Sequence, residues 1–380
     1  MIIKNGNVFL PDGTLQRNDI VIENERIKYV GENLAQEGEE VIDASNCIVA
    51  PGFVDIHIHG AAGSDFSDGT AEDIDIIADY LLKQGVTAFL GTTMSLEEQQ
   101  LSSIMATAAP FIGKTRKNKS VLWGINMEGP FIAKSKKGGQ NGDYIINPDV
   151  DMMKRLYEMS GNSIKLIDLA PELEGGLEFI EKIKDLCRVS LAHTEADYYM
   201  AKKAFNQGAR HVTHLFNAMS PINHRNPGII IAAMEAADFV EIISDGNHLH
   251  PAIIRFAFRM FGKNRICIVS DSMRACGMKD GEYNLGGQKV FVKGDRAELK
   301  DGTLAGSTTS VAEGMRRAVR FGVPMEVALQ AVTLNPAKAA GLDHLLGSLK
   351  PGKRADVVIL DSSLQIKAIL LEGVLQHNLS

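Results

Sequence analysis

Between residues 54 and 271 the chain alternates eight short apolar runs with stretches of helical period. The runs are Val54–His59, Ala88–Gly91, Val121–Glu128, Ile164–Ala170, Ser190–His193, His211–Leu215, Glu241–Asp245 and Ile266–Asp271. Helix-period segments fill most intervals: Ala71–Gln84, Met152–Met159, Gly176–Leu186, Asp197–Gln207 and Pro251–Phe261. Runs this short and apolar read as buried strands, and strands separated by helices run parallel. Eight of them predict an α/β fold, a closed (β/α)8 TIM barrel, with an open doubly wound sheet as the alternative.

The ends of the runs favour the barrel. Six of the eight finish on polar or ionisable residues: His57 and His59, Glu128, His193, His214, Asp245 and Asp271. In a barrel all strand C-termini open on one face, so side chains distant in sequence converge there. An open sheet would leave that coincidence unexplained.

The two ends of the chain have a different texture. Short alternating runs broken by Asn5-Gly6, Asp12-Gly13 and Glu23-Asn24 predict strands and turns in residues 1–50. Residues 345–380 repeat the pattern, with 355–360, 366–371 and 373–376 as strands. Neither end is large enough to enclose a core, so the two are expected to pair into one small β-sandwich domain. The barrel then occupies 51–344, with β-hairpins inserted at about 283–306 before a closing helix at Val311–Arg320.

Composition narrows the partners. Lys plus Arg total 40 against 47 for Asp plus Glu, a formal charge of −7 with no basic block. That balance argues against nucleic acid, which needs clustered cations, but permits a local phosphate pocket. No window reaches about 18 uninterrupted apolar residues, so no membrane span is expected. Four cysteines without a CxxC pair read as free thiols of a cytoplasmic protein.

His57 and His59 stand two apart on a strand, so both imidazoles share a face. Alone, such a pair is a weak pattern. Glu128 closes an apolar run, where a carboxylate is costly to bury unless it is paired or metal-bound. With His193 and His214 the set offers nitrogen and oxygen donors suited to Zn²⁺ or Fe²⁺ rather than Ca²⁺ or Mg²⁺. One carboxylate and two imidazoles leave a position open, as catalytic sites do. If Glu128 bridges, the His57/His59 pair holds a second ion roughly 3.5–4 Å away. Asp271 then serves as general base, the competing reading being a helix N-cap.

These residues lie within longer motifs. PGFVDIHIHG and the tail GSLKPGKRADVVILD are similar to the amidohydrolase superfamily. MEGPF (127–131), AHTEA (192–196), THLFNAM (213–219), SDGNH (244–248) and DGTLAGST (301–308) resemble the N-acetylglucosamine-6-phosphate deacetylase family more closely. The resemblance is collinear from about residue 50 to the C-terminus.

It implies hydrolysis of the acetamide of N-acetylglucosamine 6-phosphate, giving glucosamine 6-phosphate and acetate. Matched position by position, Glu128, His193 and His214 correspond to the main metal's ligands and Asp271 to the catalytic Asp. Metal-activated hydroxide would be the nucleophile, with Asp271 taking the proton and returning it to the leaving amine. His57 and His59, which some members lack, imply one or two ions per subunit. Substrate contacts are implied for Gln140, Asn217, Ala218, Arg225, His248 and the backbone of Leu304, Ala305 and Gly306. Arg225 suits the phosphate, and a neighbouring subunit contributes phosphate contacts in the family, which implies a homodimer. Many members carry His where Gln140 stands, and an amide cannot carry a proton or a charge.

Other readings remain. N-acetylgalactosamine 6-phosphate differs in one hydroxyl orientation. A cyclic-amide hydrolase would place a carboxylated Lys at the fourth strand end, where Ala170 and Pro171 sit. A non-catalytic phosphosugar sensor would be expected to have lost a ligand or the base.

Overall fold

In the computed structural model, which describes residues 1–32, 34 and 40–378, each apolar run forms a strand. They are β1 Phe53–Ile58, β2 Val86–Thr93, β3 Val121–Met127, β4 Ile164–Leu169, β5 Arg188–Leu191, β6 His211–Val212, β7 Phe239–Ile243 and β8 Ile266–Val269. Neighbours in sequence are parallel neighbours in the sheet, from β1 through β8. The ring closes just beyond β8. Asp271 N donates to His57 O at 2.9 Å, and His59 N donates to Ser272 O at 2.9 Å.

Helices pack outside, and their starts follow local chemistry. Thr70, Asp149, Asp197 and Ser310 each accept a backbone N–H in the first turn of Ala71–Lys83, Val150–Met159, Tyr198–Gln207 and Val311–Arg320. The sequence reading omits Glu98–Ala108 and Gly228–Ala236. The latter, GIIIAAMEA, is apolar on nearly every side and so shows no helical period. Asp271 caps no helix; an extended turn follows it, in which Ser272 bridges to Ile58 and to Ser307.

The chain ends meet in one sheet. Its order is Val374–Asn378, Ile366–Leu371, Val357–Leu360, Ile48–Pro51, Ile2–Phe9, Leu15–Glu23 and Arg26–Gly31, with Val41–Asp43 beside Ile2–Phe9. Residues 33, 35–39 and 379–380 of the expected terminal domain lie outside the described residues. Alternation assigns the two faces: Val357 and Ile359 enter the sheet's own core, while Val358 and Leu360 join the barrel's core. Were the sheet flat, the strand Leu15–Glu23 would stand about 19 Å from Ile366–Leu371, four strand spacings away. Instead a Cβ on Gly373 would meet Ile22 Cγ2 at 2.6 Å. The expected sandwich is therefore a single sheet folded over, its far strands facing each other across one small core. Arg354 ties it to the barrel, pairing with Asp356 at 3.0 Å and with Glu372, its guanidinium 5.4 Å from the Trp123 ring.

The insertion is a three-stranded antiparallel sheet, Gly281–Leu285, Gln288–Lys293 and Arg296–Glu298. Its Leu285, Val290 and Ala297 pack with Met94 and Met273, which brings residues 301–306 to the barrel mouth. Among the described residues no helix is long and apolar enough to cross a membrane. All four cysteines are unbridged.

Candidate active site

The strands stop one or two residues short of the polar positions, so Glu128, His193, His214 and Asp271 lie on the turns that leave the barrel. Three of these turns are abrupt. His193, His214 and Asp271 have φ of +43°, +29° and +45°, a region that side chains bearing a Cβ avoid. Strain of this kind, of order 1–3 kcal/mol per residue, persists where surrounding structure over-determines it. Here it swings two imidazoles and a carboxylate over the barrel axis.

They meet around Glu128. Its Oε1 lies 3.0 Å from Nε2 of both His193 and His214, and those two nitrogens are 3.1 Å apart. Its Oε2 lies 3.2 Å from His59 Nε2. His57 Nε2 stands 3.6 Å from Glu128 Oε1 and 3.5 Å from Asp271 Oδ1, and His59 Nε2 is 3.3 Å from that same Oδ1. Two groups are thereby able to hold a metal ion: His57, His59 and Glu128, and Glu128, His193 and His214.

The hydrogen-bond inventory supports that fit. His193 Nδ1 contacts Lys136 O at 2.6 Å and His57 Nδ1 contacts Glu241 Oε2 at 2.9 Å. In the neutral ring each Nδ1–H donates to its oxygen, which leaves an Nε2 lone pair facing the carboxylates. His57 Nε2 is buried with no hydrogen-bond partner. Lone pairs converging on anionic oxygens repel one another unless a cation lies between them.

Electrostatics point the same way. Burial opposes charge on His59, but Asp271 and Glu128 prevail and raise it to about 10. Burial likewise opposes charge on Glu128 and Asp271, but the surrounding histidines hold both carboxyls below their ordinary range. Without an ion, protons on the histidines balance the two carboxylates, and a divalent ion would supply that positive charge in their place.

The other predicted residues divide. A cleft of about 490 Å³ opens over the cluster, lined by Gln140, Asn217, Ala218, His248, Leu304 and Gly306 among others. Ala305 is buried, and its N–H is already donated to Ala297 O at 3.0 Å. Gln140 is committed at both ends: Oε1 accepts from Ser95 N at 2.7 Å, and Nε2 donates to Glu128 Oε2 at 2.5 Å. His248 donates to Asp245 at 2.7 Å; burial works against its charge, but Asp245 outweighs burial and raises its pKa. Arg225 is exposed on the loop after β6 and is absent from the cleft lining.

Sequence reasoning missed Lys136 and Lys137, which line the cleft, and Glu241, which lies fully buried behind His57. The two lysines stand beside Gln140 in KKGGQN, and that cationic character next to an implied substrate contact was the available signal. Glu241 gives one too, as the only carboxylate inside the apolar run FVEII. His211, three residues before His214, is absent from the cleft lining and joins a buried chain with Ser190, Thr213 and Asp168.

Residues 48–376 match the amidohydrolase family. The chain is 37% identical over 379 residues to an N-acetylglucosamine-6-phosphate deacetylase of Bacillus subtilis, covering 98% of this chain and 93% of that one. It is 34% identical over 331 residues to an N-acetylgalactosamine-6-phosphate deacetylase of Escherichia coli O157:H7, covering 86% and 87%. Among solved structures, a mutant N-acetyl-D-glucosamine-6-phosphate deacetylase of Mycobacterium smegmatis, in complex with N-acetyl-D-glucosamine-6-phosphate, superposes with a TM-score of 0.92. That pair shares 30% identity over 99% of each chain.

Proposed function

The chain belongs to the amidohydrolase family, and we propose on that premise that it deacetylates N-acetylglucosamine 6-phosphate to glucosamine 6-phosphate and acetate. The observation that carries this reading is the gathering of His193, His214 and Glu128 within 3.0–3.1 Å of one another, beside Asp271 and under one cleft. Glu128, His193 and His214 would hold one divalent ion, and His57 and His59 with Glu128 a second. Imidazole and carboxylate donors favour Zn²⁺ or Fe²⁺. When bound, such an ion supplies Lewis-acid polarisation and acidifies water.

The chain's own groups do the rest. Asp271, ionised at neutral pH, accepts the proton of the attacking water and delivers it to the departing amine, which would otherwise leave as a very poor anion. His248, held toward its charged form by Asp245, and Lys136 and Lys137 give the cleft cationic donors for the phosphosugar. Asn217 and the backbone at Ala218, Leu304 and Gly306 offer neutral contacts for sugar hydroxyls. Gln140 holds Glu128 in place as well as lining the acetyl end. The homodimer that the family resemblance implies would let Arg225, exposed outside its own cleft, reach the neighbouring subunit's phosphate. Four unbridged thiols support a cytoplasmic setting. In this reading the barrel spans 51–344, and 1–50 with 345–380 form the accessory β-domain.

The test is acetate release from N-acetylglucosamine 6-phosphate, its galacto epimer and the unphosphorylated sugar, with Zn²⁺ and Fe²⁺ each supplied. Turnover of the phosphorylated gluco substrate is expected. Turnover confined to the galacto epimer would replace it with the activity named for the Escherichia coli relative. Binding without turnover in the metal-loaded protein would make the chain a phosphosugar sensor.

A further inference from the structure

Glu241 sits mid-strand on β7, beside Cys267 of β8 in the sheet register, with its side chain fully buried. A lone carboxylate inside a strand is expensive to bury, so its partners should explain it. Its Oε2 accepts from two groups: His57 Nδ1 at 2.9 Å and the backbone N–H of His214 at 3.1 Å. Those residues belong to different metal-competent groups, and Glu128 is the residue the groups share. Glu241 is therefore a second link between them, on the side away from the cleft.

The two contacts differ in kind. At His214 only the backbone is held, which fixes the strained turn at φ +29° but leaves the imidazole untouched. At His57 the contact is to the ring itself. Accepting the Nδ1 proton sets the tautomer and aims the Nε2 lone pair at the gap between Glu128 and Asp271. Partners of this kind orient ligands and raise their basicity, and losing one typically costs 10–100-fold in metal affinity. His193 donates the equivalent hydrogen bond to Lys136 O, so the other group has its own anchor.

We propose that Glu241 is a positioning residue for the second ion: by holding the His57 ring it makes the His57–His59–Glu128 group a metal site. The inference rests on the metal reading given above. It predicts an asymmetric effect, because the Glu128–His193–His214 group keeps its anchored imidazole when Glu241 is altered.

Glu241→Gln tests this, since the amide preserves shape but removes the charge and leaves one acceptor oxygen where there were two. Apo wild type and variant are titrated with Co²⁺, followed by visible absorption and by elemental analysis after dialysis. Wild type should take two ions per chain. The variant should take the first with unchanged affinity and the second 10–100-fold more weakly. His57→Asn should weaken the second ion as well, and the double variant should be no worse than His57→Asn alone. Where Glu241→Gln fails to fold, ¹⁵N shifts of the wild-type histidines decide, and His57 should carry its proton on Nδ1. Equal second-ion affinity in wild type and variant, or a His57 proton on Nε2, overturns the role of Glu241 and leaves the metal reading intact. A wild type that takes one ion overturns the second site, and one that takes none overturns the metal reading itself.

Discussion

Asp271 owes its place to backbone pairing more than to its neighbours in sequence: its N–H bonds to His57 O where the barrel closes, which sets its carboxylate beside His57 of β1 and His59 just after it. Asp271→Asn should therefore keep metal content and KM while lowering kcat by about 10²–10⁴. A kcat within tenfold of wild type would remove the general-base role. Asp168 illustrates the opposite case, a carboxyl kept neutral. Burial, then the charge of Glu128, raises it to about 8, and Thr213 Oγ1 donates to it at 2.7 Å. The folded state thus keeps a proton that the unfolded chain releases near pH 4, so this residue's contribution to stability falls as pH rises from about 4 to 8 and is level above. In the metal-free protein, the Tm of Asp168→Asn minus that of wild type should grow across that window. A constant difference would show Asp168 ionised throughout. The residues that carry charge at strand ends were legible because they interrupt apolar runs. Glu241 and Asp168 interrupt their runs too, but they lie within them rather than at the ends that meet at the barrel mouth, so no spacing tied either to a partner.

Strands and helices were legible to the extent that their burial is one-sided or complete over a short run. The eight barrel strands passed that test; Gly228–Ala236, buried on most of its surface, did not, and a helix without a polar face has no period to detect. Which side chains pack against which between elements was not legible. Phe66 shows what that omits. Its N–H donates to His59 O at 2.7 Å, and its ring fills the space above Gly91 on β2, where a Cβ would lie 2.3 Å from the ring. The element bearing His59 is thus seated against a glycine. Gly91→Ala should displace Phe66 and cost about 1–3 kcal/mol by overpacking. Denaturant unfolding measures the loss, and a variant as stable as wild type would mean the ring has room to move. Metal affinity of the His57–His59–Glu128 group should fall with it.

At the scale of the whole molecule, the ion-holding cluster joins residues at the ends of β1, β3, β5 and β6, so bound ions would cross-link four of the barrel's eight strands. Removing metal with a chelator should lower Tm by a few degrees, since ligand at 100-fold over its Kd contributes about 2.7 kcal/mol to stability. Adding Zn²⁺ back should restore it, and a Tm indifferent to both treatments would show the cluster rigid without metal.

The folded-over terminal sheet bears on how the chain is made. Ile48 pairs with Leu360, so the hairpins of residues 2–31 wait for neighbours that emerge roughly 300 residues later. At ~5–20 residues per second that is roughly 15–60 s of translation. Throughout it Val8, Ile20 and Val49 have no opposing face to cover them. The nascent chain is in that interval a natural client for chaperones.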